Sequence, residues 1–152
     1  EEHLRAVYTQ DSGSAPYKDS CVEFFMFPPG SDCYYNLELN CIGTGTFACG
    51  PDRSHRTRFG PDIMNKIRRE SSLGREGFET KSGYFEWKIT IAAPLEIYGL
   101  TNNIQLKSKE VKANFYKCGD ELPHKHYLCW SEIHKEKPDF HSPEFFGTLF
   151  FE

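Results

Sequence analysis

Side-chain alternation with a period of two recurs along the chain, and it constrains the fold more than any other feature. In "YYNLELNC", Tyr34, Asn36, Glu38 and Asn40 fall on one side and Tyr35, Leu37, Leu39 and Cys41 on the other. An extended strand imposes that division, because successive side chains point to opposite faces. In "YFEWKITIA", Phe85, Trp87, Ile89 and Ile91 oppose Tyr84, Glu86, Lys88 and Thr90. "VKANFYKC" separates Val111, Ala113, Phe115 and Lys117 from Lys112, Asn114, Tyr116 and Cys118. "KHYLCWSE" places His126, Leu128 and Trp130 opposite Tyr127 and Cys129. Strands are expected near 4–9, 20–27, 33–41, 84–92, 110–117, 125–131 and 147–152. Breaks are expected at "FPPGSD" (27–32), "GTGTFACGPD" (43–52), "KSG" (81–83), "CGDELP" (118–123) and "EKPDFHSPE" (136–144). Short helical turns are expected after Pro61 and in "APLEIYGL" (93–100). The expected fold is all-β: an antiparallel two-sheet β-sandwich over residues 1–152, as a single domain. Its expected core is Val22, Phe24, Leu37, Leu39, Trp87, Ile89, Ile91 and Phe115.

Composition narrows the function classes. The chain has 152 residues, 18 basic and 22 acidic, for a net charge of −4. The one basic cluster, "KIRRE" (66–70), is short and mixed in sign, which argues against a nucleic-acid partner. No apolar run is long enough to span a membrane. The six cysteines contain no C-x-x-C pair, which argues against structural zinc and leaves both free thiols and disulfides open. The first residues, "EEHLRAVY", show neither an initiator Met nor a signal-peptide pattern and read at once as a strand. The chain is therefore expected to begin inside a larger gene product. An open sheet edge left there would invite self-association.

One residue stands out against this background. Glu23 lies in "CVEFFMF", where both faces of the strand carry bulky apolar groups. An ionised carboxylate is costly there without partners. Asn36, Glu38, Asn40, Asn114 and Lys117 on other strands are the candidates. A row of amides and carboxylates beside aromatics, which make up 15% of the chain, suits a polyhydroxylated ring. Such a ring has an apolar face that stacks and a rim of hydroxyls that need donors and acceptors.

The blocks "YKDSCVEFFMFPPG", "YYNLELNCIGT", "WKITIAAPL", "KANFYKCGDE" and "PDFHSPEFFGTLFF" resemble, in order, bacterial family 9-like carbohydrate-binding proteins, relatives of the xylanase-associated family 9 modules. The resemblance implies a jelly-roll or DOMON-like sandwich and non-catalytic sugar binding. It implies an aromatic clamp, matched here by Tyr17, six residues before Glu23, and by Trp130 late in the chain. Glu23 matches the family's strand carboxylate, and Lys117 its basic position. Asn36, Glu38 and Asn40 would complete the polar rim. Tyr17 stands where a Trp is common, and the sequence that usually precedes "LRAVY" is absent. The expected partner is a mono- or oligosaccharide from a plant or host glycan. The cellular address stays open, with a periplasmic or secreted one preferred.

Two other classes compete. Glu23 and Glu38 could serve as a glycosidase carboxylate pair, although no nucleophile–base motif accompanies them. His124 and His126 share a face in an extended "HKH", and His134 and His141 follow, so a haem or metal site is the other rival. No cofactor and no metal are expected. Calcium stays open through loop carboxylates such as Asp120 and Glu121, without an EF-hand pattern.

Overall fold

The computed structural model describes residues 1–99, 110–137 and 139–152. Its strands are β1 (His3–Ala6), β2 (Cys21–Phe27), β3 (Tyr34–Asn40), β4 (Gly45–Gly50), β5 (Thr57–Arg58), β6 (Arg68–Ser71), β7 (Phe78–Ser82), β8 (Ile89–Ala92), β9 (Glu110–Cys118), β10 (Tyr127–Cys129) and β11 (Gly147–Phe150). The main layer is a seven-stranded sheet in the order β10–β9–β2–β3–β4–β5, with β11 also pairing β9. All of its pairings are antiparallel. Two ribbons, β1–β7 and β6–β8, contribute to the opposing layer of the sandwich.

Register decides what each face of the main sheet carries. Glu23 lies opposite Glu38 on β3 and Tyr116 on β9, and Phe25 opposite Asn36 and Asn114. The other face takes the intervening residues. There Met26, Leu37, Leu39, Phe47, Val111 and Ala113 are buried together with Met64 of the helical turn α1 (Pro61–Met64) and Ile97 and Tyr98 of a 3₁₀ turn. Burying each large apolar side chain of this kind stabilises the fold by roughly 1.5–3 kcal/mol. At one end, Leu4 and Ala6 of β1 pack on Cys41 and Ile42. The ion pair Arg69–Asp11, with two N–H···O contacts of 2.8 Å, ties β6 to the segment after β1. A charge that poorly hydrated persists only when well paired.

The structure departs from the expected core at its margins. Leu37 and Leu39 are buried, but Val22, Phe24, Trp87 and Ile89 are only partly covered. Phe115 and Ile91 are 44% and 38% exposed. Among the described residues, short ribbons and single helical turns cover the middle of the apolar face and not its rim. Residues 84–88 form no strand, because the backbone amide of Phe85 bonds to the carbonyl of Glu1 and the Trp87 indole donates to the Glu1 carboxylate at 2.6 Å.

β4 runs through a stretch expected to be a break. Its glycine misleads: a Cβ on Gly45 would lie 2.1 Å from the Glu38 carbonyl oxygen, so the close pairing with β3 requires glycine. β5, β6 and β7 were equally unmarked in the sequence. The expected helical turns form at Pro61–Met64 and Leu95–Tyr98, while Leu100 lies outside the described residues. All six cysteines are free thiols.

Candidate functional site

A cavity of about 310 Å³ opens on the polar face of the main sheet. Tyr17 forms one side of it, and its placement begins with Pro16, the first residue of a 3₁₀ turn (Pro16–Lys18). Proline is tolerated there because its missing N–H would have no intrahelical partner. The turn is anchored by Asp19, which is fully buried. Asp19 pairs with Arg5, accepts from the backbone amides of Val7 and Tyr8 at 3.1 and 3.0 Å, and accepts from the Asn40 amide at 2.9 Å. The Tyr17 and Lys18 carbonyls accept the backbone amides of Asp120 and Glu121, fastening the turn to the loop after β9. Tyr17 is thereby folded back toward Glu23, although six residues separate them in sequence.

The floor holds the two carboxylates. Glu23 and Glu38 project side by side from neighbouring positions of β2 and β3, with Glu23 6% exposed. Burial, and then the neighbouring Glu38 charge, push the Glu23 carboxyl well above the usual carboxylate range. Burial raises Glu38 as well, but a 2.7 Å hydrogen bond from the Asn36 amide and the charges of Arg58 and Arg56 work against that. Of the two, Glu23 is the one whose protonated form its surroundings favour more. Both groups emerge from one sheet face, so they approach a ligand from the same side.

The far wall comes from the connection between β4 and β5. Asp52 accepts the backbone amides of Ser54 and His55 at 2.7 and 2.9 Å, making a tight side-chain-capped turn. Gly50 closes its base, where a Cβ would lie 2.1 Å from the His55 carbonyl oxygen. This loop points Arg53 and Arg56 at the cavity, and β5 adds Arg58. Arg56 lies 4.4 Å above the Tyr34 ring and donates to the Asn36 side-chain oxygen, so it orients Asn36 toward Glu38. Arg53 reaches Asp139 at 3.0 Å and bridges to the last wall. There Phe140 stacks on Tyr116 at 4.1 Å and meets Tyr127 edge-on at 6.0 Å. His141 lies 2.8 Å from the Tyr34 hydroxyl. Burial, with the charges of Arg56 and Arg53, lowers its pKa to about 4, so it is neutral at physiological pH. Burial raises the Tyr34 pKa to about 12, which keeps its hydroxyl protonated.

Of the residues singled out in the sequence, Tyr17, Glu23, Asn36 and Glu38 line this cavity together. Three do not. Asn40 shares their face but is fully buried, bonding to Asp19, the Tyr8 carbonyl and the Thr44 amide. It supports the Tyr17 turn from behind. Lys117 pairs with Val22 in the register and so lies on the opposite face, against Glu1 and His126 at 2.8 Å each. Trp130 also faces away from the cavity, edge-on to Phe115 at 5.8 Å and 54% exposed. Tyr127, Phe140, Arg53, Arg56 and Arg58 are cavity residues that the sequence did not mark, while His141 and Asp120 were candidates only for a metal or calcium. Tyr127 was on the right strand with the right parity, but parity alone cannot say which face of β10 continues the face of Glu23. The remaining candidates disperse. His124 contacts Glu2, His126 lies by Lys117, and His134 lies by Glu132. Glu121 is engaged by Arg5 and Lys18 at 2.7 and 2.8 Å, while Asp120 faces the cavity.

An antiparallel β-sandwich with an aromatic-rimmed, polar-floored cavity on one sheet defines a small-ligand-binding module. The chain belongs to carbohydrate-binding family 9, whose sequence profile matches residues 1–151. That family is one of non-catalytic carbohydrate-binding modules, so carbohydrate binding is the function and catalysis is not. Among solved structures, a Bacteroides uniformis protein proposed to bind carbohydrate superimposes with a TM-score of 0.93 at 41% identity. The match covers 100% of this chain and 69% of that one. A comparison with curated proteins finds no match. No helix among the described residues is long and apolar enough to cross a membrane.

Proposed function

We propose that the cavity holds a terminal sugar unit of a mono- or oligosaccharide, stacked against Tyr17 and Tyr127 and gripped through its hydroxyls by Glu23, Glu38, Asn36 and Arg58. One observation carries this reading. Aromatic rings, the buried Glu23 carboxyl and Asn36 amide, and the Arg56 and Arg58 guanidinium groups line the same cavity of a family 9 chain. The cavity volume lies at the small end of the range for small-molecule sites, which suits one or two sugar rings. The chemistry is complementary as well. A sugar hydroxyl both donates and accepts, which matches a cavity that combines carboxyl acceptors with amide and guanidinium donors. The Glu38 carboxyl accepts from sugar hydroxyls, and Arg58 donates to their oxygens through charge-assisted bonds. A periplasmic or secreted address fits a protein that meets plant or host glycans.

Calorimetry against a panel of mono- and oligosaccharides tests the reading. Tyr17→Ala, Glu38→Gln and Arg58→Ala should each weaken binding by on the order of 1–3 kcal/mol, about tenfold or more in Kd. Unchanged affinity in all three folded variants moves the sugar site away from this cavity.

A further inference from the structure

The floor of the cavity carries a second cluster, which shares only Glu23 with the proposed sugar contacts. Cys21 on β2 lies opposite Cys118 on β9, and Glu23 follows two residues along the same face of β2. The two sulfurs and a Glu23 oxygen all lie within 4.8 Å of one another. The three residues are 0%, 1% and 6% exposed. We propose that Cys21, Glu23 and Cys118 form a binding site for a thiophilic divalent cation of the zinc class, with its remaining coordination position facing the cavity.

Geometry supports the assignment. Zinc binds sulfur at about 2.3 Å and carboxylate oxygen at about 2.1 Å, so tetrahedral ligand atoms stand about 3.6 Å apart. Cys118 Sγ and Glu23 Oε1 are already 3.2 Å apart, and the cluster needs only side-chain rotation to close on an ion. The donors sit on adjacent, fully paired strands, which hold them without help from mobile loops. Access exists as well, because Glu23 and Cys118 both line the cavity. Three protein ligands with one open position are typical of zinc sites that exchange a fourth ligand.

The donor set also selects the ion. Two sulfurs favour zinc or cadmium over calcium or magnesium, which take oxygen ligands. The bonds these groups make in the apo chain are weak. Cys21 Sγ donates to the Val22 carbonyl and Cys118 Sγ to the Tyr17 carbonyl at 3.6 Å each. Cys118 Sγ is the only hydrogen-bond donor to the Glu23 carboxyl among the described residues. A thiol is a poor donor, so the buried carboxyl gains a much stronger partner from a cation. The two thiols and the carboxyl release their protons to solvent as the ion binds. Arg58 and Arg56 on the facing wall offset the negative charge left on the complex.

The test is a titration of the reduced wild-type chain with Cd²⁺, followed through the thiolate-to-cadmium charge-transfer band. The band should saturate at one equivalent, Zn²⁺ should abolish it, and a large excess of Ca²⁺ should leave it unchanged. Cys21→Ser and Cys118→Ser, checked for folding by far-UV circular dichroism, should bind Cd²⁺ at least tenfold more weakly. The Cys33→Ser/Cys49→Ser double variant should match wild type. Failure of the folded wild-type chain to show a saturable one-equivalent band overturns the proposal without reference to any variant. So does loss of the band in the Cys33/Cys49 variant with retention in Cys118→Ser. The titration contains no sugar, so its failure is distinct from failure of the sugar-binding reading.

Discussion

The two faces of the main sheet are built by the same strands and differ by one residue of register. Val22, Phe24 and Met26 of β2 point one way, and Cys21, Glu23 and Phe25 the other. The first face meets leucines, Phe47 and Val111 and buries them against the second layer. The second meets Asn36, Glu38, Asn114 and Tyr116, and its polar groups are satisfied by one another or left facing a cavity. The larger apolar cluster thus lies on one face, while the other combines the cavity with a smaller buried aromatic cluster of Phe25, Tyr34, Tyr116 and Phe146. A sheet allows this separation because its side chains alternate strictly. A helix, with its continuous apolar stripe, separates the two jobs less cleanly.

The separation breaks if a core substitution changes recognition as much as stability. Phe47→Ala should cost about 3–5 kcal/mol in denaturant unfolding, since its ring is fully buried between Tyr35, Phe59 and Tyr98. The folded fraction should still bind sugar with wild-type affinity, measured well below the new midpoint.

His141 sharpens the contrast, because it titrates on the recognition face. Its pKa is lowered from the ordinary 6.5 to about 4 by burial and by Arg56 and Arg53. A lowered pKa means that the unfolded chain takes up the proton first as the solution is acidified. Its contribution is therefore present above about pH 6.5 and disappears as pH falls toward 4, a loss of up to about 3 kcal/mol. The raised carboxyl of Glu23 works in the opposite direction over acid pH. The difference between wild type and His141→Phe isolates the histidine, and from pH 7 to 4 wild type should lose up to about 3 kcal/mol more unfolding free energy than the variant. A gap independent of pH contradicts this assignment.

Asn40 tests whether support from behind is felt in the cavity. Asn40→Ala removes its bonds to Asp19, Tyr8 and Thr44 and should cost about 1–3 kcal/mol in stability. It should also weaken sugar binding severalfold by loosening the Tyr17 turn, with Tyr17→Ala masking the effect in the double variant. The smallest expected effects are at Trp130 and Lys117. Trp130→Ala and Lys117→Ala should leave sugar affinity within about twofold of wild type, because both side chains lie on the far face. A tenfold loss from either would show that the two faces communicate.

The strand alternation in "YYNLELNC" and "VKANFYKC" was enough to identify an all-β sandwich and to place Leu37, Leu39, Asn36 and Glu38 on their correct sides. The oddity of Glu23 was legible too, since a carboxylate amid bulky apolar residues calls for a special environment. Sequence could not supply the registers between distant strands. Whether Lys117 or Tyr116 stands beside Glu23 depends on pairing β2 with a strand more than eighty residues away, and a slip of one residue exchanges the faces. The same ignorance joined Trp130 to the site and left out Tyr127. Arg53 and Arg56 lie in a loop whose turn residues announce a bend but not its destination. The encounter of Cys21 with Cys118, 97 positions apart, follows no spacing rule. Local chemistry wrote the period of each strand into the sequence. Long-range antiparallel pairing, driven by burial of the apolar face, decided which polar residues meet.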